Sequence, residues 1–600
     1  MRRILFLVIA GVAVAVAMWY AWRISQKTSS EPVSMLLPRE TIFLVHLPDF
    51  GRARDQWHHS DLYLLSREPA VQDFLRKPLS KVPKKDAASQ TLRDFEQLGP
   101  KDAFLALTSI DNNNPKFAGG FRFRGSPEDA ERMIGKWRSN FLEKNPGAKR
   151  EKLQYEHHDI EMIAATPFTL AAAYDRPWFF AATDLAELKT ILDRADGRVK
   201  NSKDALDADE AYRAAAAHMP SSYAAFFYLQ LKTFSKRIAA LRAAIQSPVS
   251  PNERTILEKV RDISGATSFE NGKIHDLLFL GIPELEEHAK ITRSSLMLGT
   301  KDTVFYLAMV LNVGQKFEAL GQAAGVGGAT QKLFQTFSNS GITTDDWKAA
   351  FGLELGSLAD WPSSAHWPSL LLTLPVIDAT KAGEIVEAIT RGEKDAIWTQ
   401  TEKNGVRYFS MQSPASLIAV TPTIALSNWT LIAGFNPVFV EEAIKRSGGS
   451  ASSELSNSQT YKNAATSVPS PSNFFSYVDT ALLYSRLDAS LRPMLLLAAA
   501  FMPGITDYVN LGKLPAPEVI TKHLSPIVSS QRYDRDGYVA ESVGPLTLDQ
   551  SAIGLAILGS VGVAARQKAG TDLKGWGSSP MGTPQPSLMP SPAPNAAPTP

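Results

Sequence analysis

The chain has 600 residues, of which 44% are hydrophobic and 21% are charged, a composition typical of folded globular protein. Lys plus Arg number 63 against 61 for Asp plus Glu, so no overall electrostatic field attracts nucleic acid, and we expect no nucleic-acid partner. The absence of cysteine excludes disulfides, thiolate metal sites and a cysteine nucleophile.

The amino-terminal segment is predicted to cross a membrane. Residues 4–22 carry no charge and follow Arg2 and Arg3, and they are long enough as a helix to span about 30 Å of hydrocarbon. Trp19, Tyr20 and Trp22 at the outer end favour a retained anchor over the alternative, a cleaved signal peptide. We predict that residues 1–30 are a single-pass anchor in a bacterial inner membrane, with the rest of the chain in the periplasm.

Short apolar segments alternate with helical patterns in the next part of the chain. Because several predicted strands follow one another without room for helical crossovers, we expect the sheet to be largely antiparallel and the fold class to be α+β. The predicted strands are 41–47, 103–110, 117–123, 152–157, 160–165, 170–174, 178–182 and 223–231. The predicted helices are 127–141, 185–193, 208–217 and 234–245.

A repeated block of residues indicates that this pattern occurs twice. Six residues of the first half recur 249 positions later, namely Leu206, Tyr212, Ala215, Pro220, Phe226 and Tyr228 as Leu455, Tyr461, Ala464, Pro469, Phe475 and Tyr477. Trp178 has an apparent counterpart in Trp429, and Asn271-Gly272 and Asp536-Gly537 both read as hairpin turns. We therefore predict two tandem modules, each a mixed, largely antiparallel sheet with helices, at residues 31–286 and 287–548.

The carboxyl-terminal part of the chain has two predicted segments. Residues 549–567 contain the uncharged run 550–565, which is shorter than a usual membrane span, so we predict a buried or interfacial apolar helix, with a second membrane crossing as the alternative. Residues 568–600 are rich in proline, serine, glycine and alanine, and we predict that this tail is disordered.

No residue pattern in the sequence identifies a chemical site. The pairs His58-His59 and His157-His158 are adjacent in sequence, and adjacent side chains are expected to face apart, so neither pair alone predicts a chelate. Neither Gly272-Lys273 nor Gly512-Lys513 has the first glycine of a phosphate-binding loop, the glycines of 325–328 fit a flexible loop, and no Gly-x-Ser-x-Gly elbow occurs. The acids considered as catalytic pairs, without a pattern joining them, are Asp102, Asp159, Glu161 and Asp175. We predict no catalytic, cofactor-binding or metal-binding residues and no cofactor.

The sequence opening the first module, Leu37-Pro38-Arg39-Glu40-Thr41-Ile42-Phe43-Leu44-Val45, and the strand-turn-strand-helix pattern of 168–197 carry a resemblance. With these features following an export anchor, the chain resembles the domain-of-unknown-function 3352 (DUF3352) family of bacterial envelope proteins. That family has no established activity, so the resemblance implies an envelope location and no functional residues.

Duplication without a chemical motif favours a non-catalytic protein of the cell envelope that binds or scaffolds a protein, glycan or lipid partner. A second hypothesis is a carrier or chaperone for lipids or other apolar ligands, suggested by the strand aromatics Phe226, Phe227, Phe474 and Phe475, which could equally be core residues. A third is a divergent envelope hydrolase, which the missing motifs disfavour without excluding.

Overall fold

The computed structural model describes residues 32–80, 96–111, 114–123, 127–165, 168–175, 177–199, 202–244, 260–282, 289–311, 339–392, 397–412, 420–449, 453–501, 510–548 and 550. The predicted anchor at 1–30, the glycines at 325–328, nearly all of the predicted apolar helix at 549–567 and the tail at 568–600 lie outside these residues. Within them, no helix combines the length and apolarity that a membrane crossing requires. The described residues up to Leu548 belong to one compact unit.

Twenty strands of these residues carry the fold. The strands of the first half are β1 (Phe43–Asp49), β2 (Lys101–Asp111), β3 (Asn114–Arg122), β4 (Lys149–Tyr155), β5 (His158–Ala165), β6 (Phe168–Asp175), β7 (Trp178–Ala182), β8 (Ala225–Leu229), β9 (Asp262–Glu270) and β10 (Lys273–Gly281). Those of the second half are β11 (Thr303–Val310), β12 (Glu354–Asp360), β13 (Ser369–Pro375), β14 (Trp398–Lys403), β15 (Val406–Met411), β16 (Thr423–Leu426), β17 (Thr430–Gly434), β18 (Phe474–Val478), β19 (Ile527–Asp534) and β20 (Gly537–Gly544).

The α-helices whose bounds are described lie between these strands. Those of the first half are α1 (Val33–Leu36), α2 (Phe50–His58), α3 (Asp61–Arg67), α4 (Pro69–Ser80), α5 (Pro127–Lys144), α6 (Leu185–Ala195), α7 (Glu210–Ala217) and α8 (Leu231–Ala244). Those of the second half are α9 (Thr344–Ala350), α10 (Ala379–Gly392), α11 (Pro437–Ser447), α12 (Glu454–Asn457), α13 (Gln459–Ala465), α14 (Thr480–Phe501) and α15 (Pro517–Thr521).

All twenty strands join one continuous antiparallel sheet, which confirms the predicted α+β class and antiparallel pairing. From one edge the order is β4-β5-β6-β7-β3-β2-β1-β8-β9-β10, then β20-β19-β18-β11-β12-β13-β17-β16-β15-β14. The two halves therefore have the same strand order read outward from the centre. They meet where β10 pairs with β20, with Leu277 opposite Glu541.

The two predicted hairpin turns form at the centre of the sheet. Asn271 and Gly272 join β9 to β10 with φ values of 50° and 79°, a left-handed conformation that asparagine and glycine adopt at low cost. Gly537 is the first residue of β20, and its backbone lies very close to β10. An added Cβ would be 2.0 Å from the carbonyl oxygen of Leu280. Glycine at 537 thus permits β20 to pair with β10.

Each half packs a helix against one face of its outer strands. In the first half, Leu188, Ile191 and Leu192 of α6 pack on Phe180 and Ile160 of the sheet, all of them buried. The corresponding core of the second half contains Val440 and Ala443 of α11 with Tyr306, Phe475 and Tyr477. Burial of each large apolar side chain contributes about 1.5–3 kcal/mol, so these contacts fix the helices on the sheet.

The predicted equivalence of Trp178 and Trp429 is wrong. Trp178 is the first residue of β7 and is only 2% exposed, whereas Trp429 lies in the turn before β17 and is 50% exposed. Asp175 pairs with Trp178 across the first turn, and in the second half the amide of Ser427 donates to the carbonyl oxygen of Thr430 at 3.0 Å. Thr430, the first residue of β17, therefore occupies the position equivalent to Trp178. The sequence match instead paired Trp178 with Trp429, one residue too early.

Candidate ligand-binding site

A groove of about 880 Å³ lies between α5 and the outer strands of the first half. Its volume is within the roughly 300–1,000 Å³ that is usual for small-molecule sites. Much of its lining is apolar and comes from both the helix and the sheet, namely Ile134, Trp137, Phe141, Ile163, Leu170, Ala172, Phe179 and Ala181.

The local sequence explains why these side chains meet. On α5, Ile134, Trp137, Arg138 and Phe141 are spaced by three and four residues and so lie on one helical face. Alternate residues of a strand point to one side of the sheet, so Glu161 and Ile163 of β5 share the groove side with Ala172 and Tyr174 of β6. The small side chains of Ala172 and Ala181 leave the floor of the groove open.

Charged side chains in the groove are held in a network of ion pairs. The Arg138 Nη1 donates to Glu161 Oε2 at 2.7 Å, and Arg138 also pairs with Glu131 while Arg150 pairs with Glu161. The Tyr174 hydroxyl donates to Glu131 Oε2 at 2.7 Å. The network anchors α5 to strands β4, β5 and β6.

Burial and hydrogen bonding act in opposite directions on these groups. Burial favours the neutral form of Glu131, but the hydrogen bonds from Tyr174 and Arg138 outweigh it and hold the pKa of Glu131 below its usual range. Burial, followed by the hydrogen bond to Glu131, raises the pKa of Tyr174. Tyr174 therefore stays protonated at neutral pH and donates a hydrogen bond to the carboxylate of Glu131.

The groove carries no excess charge. Its lining contains four acidic side chains, Glu128, Glu131, Asp159 and Glu161, and four basic ones, Arg132, Arg138, Arg150 and Lys152. An anionic or cationic ligand would therefore meet as many repelling as attracting groups. An apolar molecule with an uncharged or zwitterionic polar end suits this lining best.

The matching face of the second half leaves a smaller space. There Ala382 and Ile385 of α10 pack against Leu426, and Ala350 and Phe351 from the end of α9 complete the cluster. A smaller recess of about 390 Å³ beside α10 is lined by polar side chains including Glu384, Glu387 and Arg407. The two halves thus differ in the volume and in the lining of the space beside this helix.

The histidine pair at the β4–β5 turn does not face apart as predicted. The two rings are in contact, with centroids 4.0 Å apart and planes tilted by 37°. His157 Nε2 lies 3.3 Å from Asp196 Oδ1, and His158 Nε2 lies 2.9 Å from Asp196 Oδ2. The alternation rule fails here because only His158 is in the strand. His157 is in the turn, after Glu156 with a φ of 53°.

The four acids considered in the sequence are divided among three places. Asp159 and Glu161 line the groove, whereas Asp175 is buried near His158 on the opposite face of the sheet. Asp102 pairs with Arg122, and His46 Nε2 lies 3.6 Å from Asp102 Oδ1. Strand alternation separates Glu161 from Asp175, a signal that the sequence contained.

The other residues singled out in the sequence have structural surroundings. At the other histidine pair, His59 Nδ1 lies 2.7 Å from the carbonyl oxygen of Asp55, and the ring of His58 contacts Tyr63. Lys513 pairs with Asp73 at 2.8 Å. The aromatics proposed as ligand contacts are in part core residues, since Phe226 and Phe475 are buried.

Comparisons with known proteins identify no family for the chain. No protein family and no curated protein matches it. Among solved structures, crystal forms III, I and IV of the protein TP0453 align with 44% of this chain and with 84%, 83% and 90% of their own chains. Sequence identity is 7%, 8% and 8%, and the TM-scores are 0.24, 0.23 and 0.24. At these TM-scores the likeness supports no inference about fold or function.

Proposed function

We propose that this protein is a non-catalytic binding protein of the bacterial envelope that holds a small amphipathic molecule in the groove beneath α5. The observation that carries the proposal is the groove itself, about 880 Å³, with an apolar floor and a charge-balanced polar network. The ligand class is a molecule with one acyl or similar apolar chain and a neutral or zwitterionic polar end. Of the hypotheses drawn from the sequence, the carrier of apolar ligands is the one that this geometry favours.

The setting of that groove is part of the proposal. We propose two tandem modules at residues 31–286 and 287–548, an idea supported by the shared strand order of the two halves. In this view one module has a large, mostly apolar groove beneath its helix and the other has only a smaller, polar recess. The inner-membrane anchor at 1–30 would hold the body in the periplasm, beside a source of amphipathic molecules. The DUF3352 resemblance, a scaffold role with a protein or glycan partner, and the hydrolase alternative stay predictions.

The test uses lysophosphatidylethanolamine, which is zwitterionic and has one acyl chain, with the full-length chain purified in detergent. Native mass spectrometry counts the lipid molecules that stay bound. We expect one per chain, and we expect Ala172→Trp to reduce occupancy by at least about tenfold, because the indole would fill the floor of the groove. An interaction difference of about 1.4 kcal/mol gives that factor.

The matched control is Ala164→Trp, which adds the same bulk to an exposed position of β5 on the opposite side of the sheet from Ile163. It should bind as the unaltered chain does. Equal occupancy in Ala172→Trp and Ala164→Trp, or no retained lipid in any of the three proteins, would exclude this groove as the site. Tighter retention of palmitate than of the zwitterionic lipid would contradict the charge argument.

A further inference from the structure

We propose that His157, His158, Asp175 and Asp196 form a binding site for a divalent transition metal, with zinc(II) the ion that their geometry and chemistry fit. The four side chains come from three places in the fold: the β4–β5 turn and the start of β5, the end of β6, and the residue that follows α6. They lie on the face of the sheet opposite the groove. The inference is independent of what the groove binds.

The donor atoms are close enough to surround one ion. Each of the four residues offers one ligand atom, and these atoms all lie within 4.8 Å of one another. Zinc takes nitrogen and oxygen ligands at about 2.0–2.2 Å in a tetrahedron, which places neighbouring ligand atoms about 3.4 Å apart. The 3.3 Å between His157 Nε2 and Asp196 Oδ1 already matches that spacing. His157 lies in a turn with its side chain 61% exposed, so it can rotate to close the longer distances.

Neighbouring groups orient the donors as they do in metal sites. The Nδ1 of His158 faces the carbonyl oxygen of Tyr174 at 3.4 Å, which directs Nε2 toward the cluster. Arg198 Nη1 lies 2.8 Å from Asp196 Oδ2 and also pairs with Asp193 at 2.6 Å. Arg198 therefore holds one oxygen of Asp196 and leaves Oδ1 directed toward His157.

The nitrogen donors decide which divalent ion the cluster fits. His157 Nε2 lies 3.3 Å and His158 Nε2 2.9 Å from oxygens of the Asp196 carboxylate, which is only 9% exposed. An ion bound among these atoms would have two nitrogen ligands besides carboxylate oxygens, and nitrogen donors favour zinc over calcium or magnesium.

The second half indicates that packing alone does not require these residues. The matching places are occupied by Val406 at the start of β15, Ser427 after β16 and Gly448 at the end of α11. Val406 is buried in the apolar core there. A polar cluster at the same place in the first half therefore calls for a role beyond filling space.

Calorimetric titration tests the site with zinc chloride as the probe. The protein is the full-length chain in detergent, without a histidine tag and after removal of metals with a chelator. We expect one zinc ion per chain and a higher midpoint of thermal unfolding in its presence, because the ion would join three elements. His157→Asn and Asp175→Asn should each weaken zinc binding more than about tenfold, because each removes a direct ligand, and loss of a residue that only orients a ligand already costs about that much.

Two controls make the result specific. His58→Asn with His59→Asn removes the other adjacent histidine pair and should leave zinc binding unchanged, and magnesium chloride should give no saturable binding. His157→Asn is used in place of His158→Asn because the side chain of His157 is exposed in a turn, whereas that of His158 is buried. No saturable zinc binding by the unaltered chain, or the same affinity in His157→Asn and Asp175→Asn, would overturn the proposal.

Discussion

His46 on β1 is a buried histidine whose surroundings could not be predicted from the sequence. Its Nδ1 lies 3.0 Å from the Tyr223 hydroxyl, and its Nε2 is buried without a hydrogen-bond partner. Burial, and then the charge of Arg122, lowers the pKa of His46 to about 4. These contacts join residues 177 positions apart, so no local pattern could predict them.

The lowered pKa predicts how stability changes in acid. An unfolded histidine titrates near 6.5, so between that pH and about 4 the unfolded chain binds a proton that the folded chain does not. The contribution of His46 is present above about pH 6.5 and is lost as the pH falls toward 4, by up to about 3 kcal/mol. His46→Gln should lose less stability than the unaltered chain between pH 7 and pH 4.5 in urea unfolding. Identical losses would contradict the assignment.

At the scale of elements, strands and hairpins follow from the sequence, whereas the spaces between elements do not. Alternating residues and the Asn271-Gly272 turn predict β9 and β10, because both signals are local. How much space a helix leaves over its face of the sheet, about 880 Å³ beneath α5 and about 390 Å³ beside α10, depends on packing between distant segments. The groove could therefore not be predicted from the helical pattern of 127–141.

A second histidine lies where β10 pairs with β20, and its pKa is shifted in the opposite direction from that of His46. His275 Nε2 lies 3.2 Å from Glu541 Oε2, and this hydrogen bond, against the effect of burial, raises the pKa of His275. Because the pKa of His275 is raised, its contribution to stability is fully present below about pH 6.5. That contribution is lost as the pH rises through the pKa of His275 in the folded chain. His275→Gln should cost on the order of 1 kcal/mol at pH 6, and less at pH 9. A cost that does not change with pH would contradict this origin.

At the scale of the whole molecule, the class of the fold could be predicted from the sequence, whereas the junction between its two halves could not. The α+β class and the antiparallel pairing were predicted, because short consecutive strands allow little else. The junction of the two halves was not predicted, because β10 and β20 are about 260 residues apart and no local pattern specifies their pairing. The apolar pattern of β20 is as compatible with an edge strand as with a central one.

The junction predicts a matched pair of glycine substitutions. Gly537 has a positive φ, of 152°, so Gly537→Ala adds a close contact to backbone strain. Its Cβ would lie 2.0 Å from the carbonyl oxygen of Leu280, so β20 must move away from β10, at a further cost of about 1–3 kcal/mol. Gly405→Ala, in the β14–β15 turn with a φ of 73° and nothing within 4 Å, suffers only backbone strain of about 1 kcal/mol. Urea unfolding should show the larger loss for Gly537→Ala. An equal or smaller loss would contradict the junction.

Whether the groove beneath α5 holds an amphipathic molecule is tested most directly by an experimental structure of the full-length chain purified from the cells that produce it. We expect elongated density along Ala172 and Ala181, with its polar end near Arg138. A groove filled by the side chains of α5, with no such density, would contradict the proposed function.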